Sequence, residues 1–292
     1  MSRFRQFLAI DWSGAAGERH AGIALAIADA AGGAPVLVER GRKWSRAEVL
    51  DILRDLPADT LVGMDLGIAL PFADCGAYFP GHGASPQDAR SLWAMIDALC
   101  GDEPHLAAGA FTDHADLAPY FRRHGGREGA RFRCDGAAHG RGRFRVTEQR
   151  QAAMGLKPYS NFNLVGAAQV GKSSLTGMRV LHRLQGTVPV WPIDPLPHAG
   201  SVICEIYTSL AAMEAGRSAS RSKIRDHAGL DDALGMLGSP GLGQSGAIDD
   251  HSSDALLTAA WLRKVAGDPS RWTPEGLTRE VARTEGWTFG VI

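Results

Sequence analysis

Four apolar segments of this chain end on, or enclose, an acidic residue. Three have the composition of buried strands: FLAID ends at Asp11, LVGMD at Asp65 and VICE at Glu205. The fourth, DDHSSDALLTAAWL, has the pattern of a helix and carries Asp250 and Asp254 on one helical face. A carboxylate at the end of a buried strand loses hydration, which costs free energy unless a cation or a hydrogen-bond donor meets it. The pattern therefore predicts that these acids converge on a divalent metal ion.

Each acid taken singly also has a structural interpretation. Asp249 and Asp250 stand where a helix N-cap is expected, and the helix dipole favours acids there. Asp65 could cap a turn before Gly67. A shared site is favoured because several such acids occur in an order that one sheet can bring together. Carboxylates without a histidine and cysteine cluster suit Mg²⁺ or Mn²⁺ better than zinc.

The predicted elements alternate between strands and helices and indicate an α/β fold. The first 65 residues read as three closely spaced strands, typical of an antiparallel meander, then a helix and a fourth strand. Ser45 and Glu48 have the spacing of a capping box, which places the start of that helix. Later elements with a clear pattern are helices at 85–99, 173–184 and 249–265 and a strand at 201–207.

Composition excludes several classes of protein. With 45% hydrophobic residues, 22% charged residues and a net charge of −1, the chain resembles ordinary soluble globular proteins. Its four cysteines form no CxxC pair, which argues against a structural zinc site and a disulfide framework and fits a reducing cytoplasm. No segment approaches the roughly 18 apolar residues of a membrane helix. We expect a cytoplasmic protein without membrane association, and the sequence does not indicate its oligomeric state.

Four motifs together resemble a known family. They are IDWSG at 10–14, GMDLGIALPF at 63–72, CEIYTSLA at 204–211 and DDHSSDALLTAAWL at 249–262. The family is a widespread prokaryotic one of unknown function, described as predicted RNase H-like nucleases. The resemblance implies an RNase H-like mixed sheet flanked by helices. It places metal-binding carboxylates at Asp11, Glu205 and Asp254, with Asp65 and Asp250 as accessory acids.

This interpretation predicts a divalent-metal-dependent phosphodiesterase, a nuclease, that acts on nucleic acid. The catalytic residues would be Asp11, Asp65, Glu205 and Asp254, and the metal ligands Asp11, Glu205, Asp250 and Asp254. Asp65 and Glu205 compete for one ligand role, because Glu205 follows a long middle segment. His251 or His198 could pass protons, although a lone histidine near a helix start is more often a surface or capping residue.

The middle of the chain, residues 75–198, is predicted to be an inserted cap, with residues 1–74 and 199–292 forming the core. Between residues 121 and 150 nine arginines stand against three acids. Arg133, Arg141, Arg143 and Arg145 are the predicted nucleic-acid-binding residues, since cations of this density can neutralise several phosphates. The alternative is a solvated surface loop.

Residues 166–173 read GAAQVGKS, a literal GxxxxGK[ST]. In a phosphate-binding loop Gly166, Gly171, Lys172 and Ser173 would cradle a nucleotide, which makes a nucleotide-binding protein or NTPase an alternative function. Such a loop needs a buried strand directly before it, and YSNFNLV offers only two contiguous apolar residues. A third alternative is a catalytically inert RNase H-like module that binds nucleic acid.

Overall fold

The computed structural model describes residues 2–134, 140–166, 169–217 and 223–292 of the chain. The strands there are β1 Gln6–Asp11, β2 Arg19–His20, β3 Ala24–Asp29, β4 Val36–Leu37, β5 Trp44–Ser45, β6 Thr60–Met64, β7 Val190–Trp191 and β8 Val202–Glu205. Six of them form one sheet in the order β4-β3-β1-β6-β8-β7, and β2 pairs with β5 separately.

The helices of the described residues are α1 Arg46–Arg54, α2 Ala89–Leu99, α3 Gly109–Asp113, α4 Val146–Ala153, α5 Val170–Arg183, α6 Thr208–Glu214, α7 His227–Met236, α8 Asp250–Val265 and α9 Arg279–Thr284. Short 3₁₀ turns occur at Pro104–Leu106, Ala118–Tyr120, His124–Gly126 and Pro269–Arg271. The helices predicted at 85–99, 173–184 and 249–265 are all present with slightly different ends. Helices α3, α4 and α6 were not predicted.

The sheet is mixed, which confirms the predicted α/β class. Strands β1, β3 and β4 form an antiparallel meander, as the short loops between them predicted. Strands β6, β7 and β8 continue the sheet in parallel with β1. The pairing of β1 with β6 matters most, because it brings the ends of two segments that terminate in acids to one edge.

The capping box that starts α1 is confirmed. The Ser45 hydroxyl accepts a hydrogen bond from the Glu48 N–H at 3.2 Å. In return the Glu48 carboxylate accepts one from the Ser45 N–H at 2.9 Å. These two bonds satisfy backbone groups that would otherwise lack partners at the helix start. The buried apolar residues of α1, Val49, Leu50 and Leu53, belong to the same core as Leu8 and Ile10 of β1.

Both faces of the sheet are covered by apolar layers, as expected for its parallel half. On one face Phe7 and Ala9 of β1 pack with α8, whose Leu256 and Ala260 are buried. On the other face Leu8 and Ile10 pack with α1, α2 and α5. Side chains of β1 therefore alternate between two cores, and the same alternation decides which acids meet at the end of the sheet.

Residues 75–198 contribute both to the second core and to the sheet, where β7 is an edge strand. Their separation as an inserted unit stays a prediction. In the parts of the chain that the structure describes, none of the helices combines the length and apolar content needed to cross a bilayer.

Candidate active site

Two of the predicted acids lie side by side at the carboxyl edge of the sheet. Asp11 is the last residue of β1, and Asp65 directly follows β6. Ile10 is opposite Met64 in the parallel register, and the Asp65 N–H donates to the Ile10 carbonyl at 2.9 Å. Because the strands are neighbours and end together, the two carboxylates emerge at the same place. Asp11 is only 7% exposed, and Asp65 is half-buried.

Helix α8 supplies a third acid to this edge. It crosses β1 and β3, and Asp254 lies in its second turn, close enough for its charge to act on both Asp11 and Asp65. In the described ranges no lysine or arginine forms an ion pair with Asp65 or Asp254. We call Asp11, Asp65 and Asp254 the acidic cluster.

The acidic cluster is electrostatically costly. Burial raises the pKa of Asp11. Burial, followed by the negative charges of Asp11 and Asp254, raises the pKa of Asp65 well above its usual value. Burial and the neighbouring acids Asp11 and Asp250 raise the pKa of Asp254 to about 7. Like charges that share a partly buried site oppose one another's ionisation, so a cation among them would be strongly favoured.

A histidine contacts the acidic cluster directly. His251, in the first turn of α8, places Nδ1 2.6 Å from Oδ2 of Asp11. This hydrogen bond raises the pKa of the His251 imidazole. The side chain is about half exposed. His251 is therefore more than a capping residue: it can hold a proton between Asp11 and solvent. His198 is exposed.

Asp249 and Asp250 immediately precede this histidine in the sequence. Asp249 is the N-cap of α8, and its carboxylate accepts a hydrogen bond from the Ser252 N–H at 3.0 Å. The capping interpretation is therefore confirmed for Asp249. The Asp250 carboxylate is paired with the ammonium group of Lys223, at the surface. This pairing makes Asp250 a poorer metal ligand than the sequence predicted.

Glu205 is close enough to Asp65 for its charge to raise the pKa of that acid, but its carboxylate has a different set of partners. In the register of the sheet it is opposite Met64, one residue before Asp65, so its side chain emerges on the other face. There it accepts hydrogen bonds from Arg145 Nη2 at 2.6 Å, Arg145 Nη1 at 2.7 Å and the Ile68 N–H at 2.9 Å, and another from the Thr288 hydroxyl. The four acceptor sites of the carboxylate are filled. The predicted role of Glu205 as a metal ligand beside Asp11 does not fit this geometry.

The arginine-rich segment is largely internal. Arg145 is 1% exposed and also pairs with Glu148, while Arg143 is fully buried and pairs with Asp74 at 2.6 Å. The predicted binding of nucleic acid by Arg143 and Arg145 is at odds with this burial. At the start of α4 the Glu148 carboxylate accepts a hydrogen bond from the Arg145 N–H at 2.8 Å, but a guanidinium has no acceptor with which to complete a capping box. The sequence therefore carried no capping signal for α4. Residues 135–139 of this segment lie outside the described residues.

Two of the four predicted arginines are exposed. The guanidinium of Arg133 pairs with Glu128 at 2.7 Å, so its charge is already matched. Arg141 lies 5.2 Å from the ring centroid of Tyr159, in a cation–π contact at the surface. Arg141 also donates a hydrogen bond to the Pro158 carbonyl at 3.3 Å, and its binding of nucleic acid stays a prediction.

The GxxxxGKS segment lacks the context of a phosphate-binding loop. Residues 157–166, all of them described, form one isolated bridge from Asn163 to Arg122 instead of a strand. Helix α5 begins at Val170, so Lys172 and Ser173 lie in its first turn. The Ser173 hydroxyl accepts a hydrogen bond from the Gly14 N–H at 3.2 Å. A Cβ on Gly171 would lie 2.6 Å from the Asn161 carbonyl oxygen, so this glycine serves close packing. Ala167 and Ala168 of the motif lie outside the described residues.

A cavity of about 270 Å³ opens beside the acidic cluster. Asp65 forms part of its wall, together with Trp12 from the loop after β1 and Tyr207 from the start of α6. The opposite wall comes from the segment between α4 and α5, including Tyr159. The cavity gives the carboxyl edge of the sheet a binding space next to its acids.

The chemistry of the acidic cluster fits Mg²⁺ or Mn²⁺, since it offers hard oxygen ligands whose mutual repulsion a cation would relieve. Among the described residues, no three His, Cys, Asp or Glu side chains already stand close enough together to hold a metal ion. The fit to Mg²⁺ or Mn²⁺ therefore rests on the type of ligand atoms that the cluster offers and not on their present distances. No protein-family model, curated protein or solved structure matches the chain.

Proposed function

We propose that this protein is a divalent-metal-dependent phosphodiesterase that cleaves nucleic acid at the acidic cluster, on an RNase H-like sheet. The observation that carries the proposal is the meeting of Asp11, Asp65 and Asp254 at one sheet edge without an arginine or lysine ion pair in the described residues. Three antiparallel strands, a helix and a parallel fourth strand beside the first support the fold assignment. The packing of the C-terminal helix α8 across the sheet also supports the fold assignment.

A purely structural role accounts poorly for these acids. Buried carboxylates in stable folds are usually paired with cations or saturated with donors, as Glu205 is. Asp11 instead has the His251 imidazole as its hydrogen-bond partner. The positive charges of His251 and Lys223 act on Asp254, but burial and the charges of Asp11 and Asp250 outweigh them and raise its pKa. The fold therefore maintains a repulsive group at a solvent-accessible edge, which is the usual sign of a functional site.

In the proposed reaction Asp11, Asp65 and Asp254 hold Mg²⁺ or Mn²⁺. When bound, the metal supplies activation of a water and charge neutralisation at the leaving oxygen. Asp65 is oriented by the backbone N–H of Thr208, at the start of α6. His251, hydrogen-bonded to Asp11 and open to solvent, holds the proton that is transferred as the new phosphorus–oxygen bond forms and the ester bond breaks.

The test measures Mn²⁺ binding by calorimetry and cleavage of labelled DNA and RNA in the presence of Mg²⁺ or Mn²⁺. Asp11→Asn and Asp254→Asn should lose both metal binding and cleavage. Asp51→Asn, which removes an exposed carboxylate on α1, is the matched control and should keep both. Retention of metal binding and full cleavage by Asp11→Asn would show that the proposal is wrong.

A further inference from the structure

The cavity beside Asp65 has the lining of a site for a flat, hydrogen-bonding group. Its aromatic members come from three separate segments of the chain, and carboxamides from helix α4, from a loop and from the N-cap of α5 line the same space. These side chains are Trp12, Tyr159 and Tyr207, with Gln151, Asn161 and Gln169. Its volume of about 270 Å³ lies just below the roughly 300–1,000 Å³ of typical ligand pockets. The space suits one nucleobase and is too small for stacked base pairs.

The charge of the wall determines which part of a nucleotide can enter. The positive charge of Arg145 is matched by Glu148 and Glu205, which leaves one acid in excess, and Asp65 adds another. A partly buried wall of acids whose cation is already paired offers no positive charge to hold a phosphate group. A neutral base, with aromatic faces and amino or imino donors, is compatible with it.

Basic side chains stand farther out, along two further cavities that adjoin the first. A cavity of about 460 Å³ shares Tyr159 with it and is lined by Arg122 and His124. Another, of about 500 Å³, shares Gln169 with it and is lined by Lys172. We call these three cavities, which share lining residues, the groove. Acids line its part beside Asp65, and Arg122, Arg123 and Lys172 line the other two parts together with Asp113.

Within that groove Lys172 and Tyr159 are the accessible anchor points. Lys172 is exposed and has no acidic partner among the described residues. Tyr159 is 40% exposed, which is unusual for so large a ring, and lies where the first two cavities meet. The guanidinium of Arg141 is held over this ring, so a positive charge stands at the entrance. Aromatic rings combined with nearby cations are the elements by which proteins hold single strands.

We infer that the groove binds single-stranded nucleic acid, with one unstacked base in the cavity beside Asp65 and the adjoining phosphates near Lys172 and Arg141. Cleavage of the bound strand rests on the proposed function, because Asp65 belongs to both sites. A duplex keeps its bases stacked, and unstacking one costs a few kcal/mol. Duplex binding should therefore be weaker.

The test measures binding by fluorescence anisotropy in EDTA, so that neither metal nor cleavage enters the result. The probes are a labelled 12-nucleotide DNA strand, the RNA of the same sequence and the corresponding DNA duplex. We expect one or both single strands to bind at least about tenfold more tightly than the duplex. Tyr159→Ala should weaken that binding by about 5- to 150-fold, as for loss of one stacked base. Tyr159→Phe should not.

Charge variants supply the second readout. Lys172→Ala should weaken single-strand binding and reduce the slope of log affinity against log salt by about one unit, as expected for one lost phosphate contact. Arg5→Ala removes another exposed cation, which precedes β1 at the opposite end of the strand, and should change neither quantity.

The inference is overturned if duplex binds as tightly as both single strands, if nothing binds, or if Tyr159→Ala binds like the wild type. Its failure differs from failure of the proposed function. Selective, Tyr159-dependent binding without cleavage under any metal would leave the inference standing and refute the nuclease. Cleavage confined to duplex would support the nuclease and refute the inference of single-strand binding.

Discussion

Neutralising Asp254 should stabilise the protein, and increasingly so at higher pH. The Asp254 carboxyl has a pKa of about 7 in the folded protein, against an ordinary value of 3.8. Between these two values the folded state keeps a proton that the unfolded chain has lost. The free energy of unfolding therefore falls as pH rises from about 4 through about 7. Asp254→Asn removes this loss because its amide carries no charge.

The expected size comes from the two pKa values. Their difference of about three pH units corresponds to about 4 kcal/mol above pH 7. About 3 kcal/mol of this arises between pH 5 and pH 7. Loss of the Asp254 charge also lowers the pKa of Asp65, since that pKa is raised in part by the Asp254 carboxylate. A stabilising change at a functional site would reflect the usual exchange of stability for activity.

The assay is urea denaturation of wild type and Asp254→Asn at pH 5 and pH 8, with Asp51→Asn as the control. The advantage of Asp254→Asn should grow by about 3 kcal/mol between the two pH values, while the control should follow the wild type. Mn²⁺ should stabilise the wild type at pH 8 and leave Asp254→Asn nearly unchanged. A difference between the variants that stays constant with pH would refute the electrostatic reasoning.

Three further substitutions, with one control, test the framework around the site. Arg145→Met should cost about 3–5 kcal/mol in chemical denaturation, because it leaves Glu205 charged and buried without its partner. Its control Arg133→Met, at an exposed pair, should unfold like the wild type. Ser45→Ala should cost about 1 kcal/mol by the same measurement, through loss of the α1 capping box. Gly63→Ala should lower the thermal midpoint by several degrees, since a Cβ there would lie 2.6 Å from a methyl group of Ile206. If Arg145→Met, Ser45→Ala or Gly63→Ala loses no stability, the packing described around that residue is contradicted.

Features that depend on residues near one another in sequence were predictable. The capping box of Ser45 and Glu48 is a three-residue spacing, and helix α1 begins there as predicted. The meander of β1, β3 and β4 arises from short loops, which permit only antiparallel neighbours. Helix α8 was predictable for the same reason, with Asp249 as its cap.

The arginine-rich segment shows where local patterns were insufficient. Arg133 and Arg143 look alike in sequence, yet one is exposed and the other fully buried against Asp74. Burial of an arginine depends on an acid brought from elsewhere in the chain, here from 69 residues away. Composition predicts the charge of such a segment but not which of its charges are already matched.

The sequence by itself determined that acids stand at the ends of apolar strands and at the start of the last helix, because hydrophobic runs and caps are local. Tertiary structure alone decided which of those acids share a site. Side chains of a strand alternate between faces, so a difference of one residue in register sends Glu205 to Arg145 and leaves Asp65 with Asp11 and Asp254. That register is set by the packing of two cores against the sheet, and no short segment contains it.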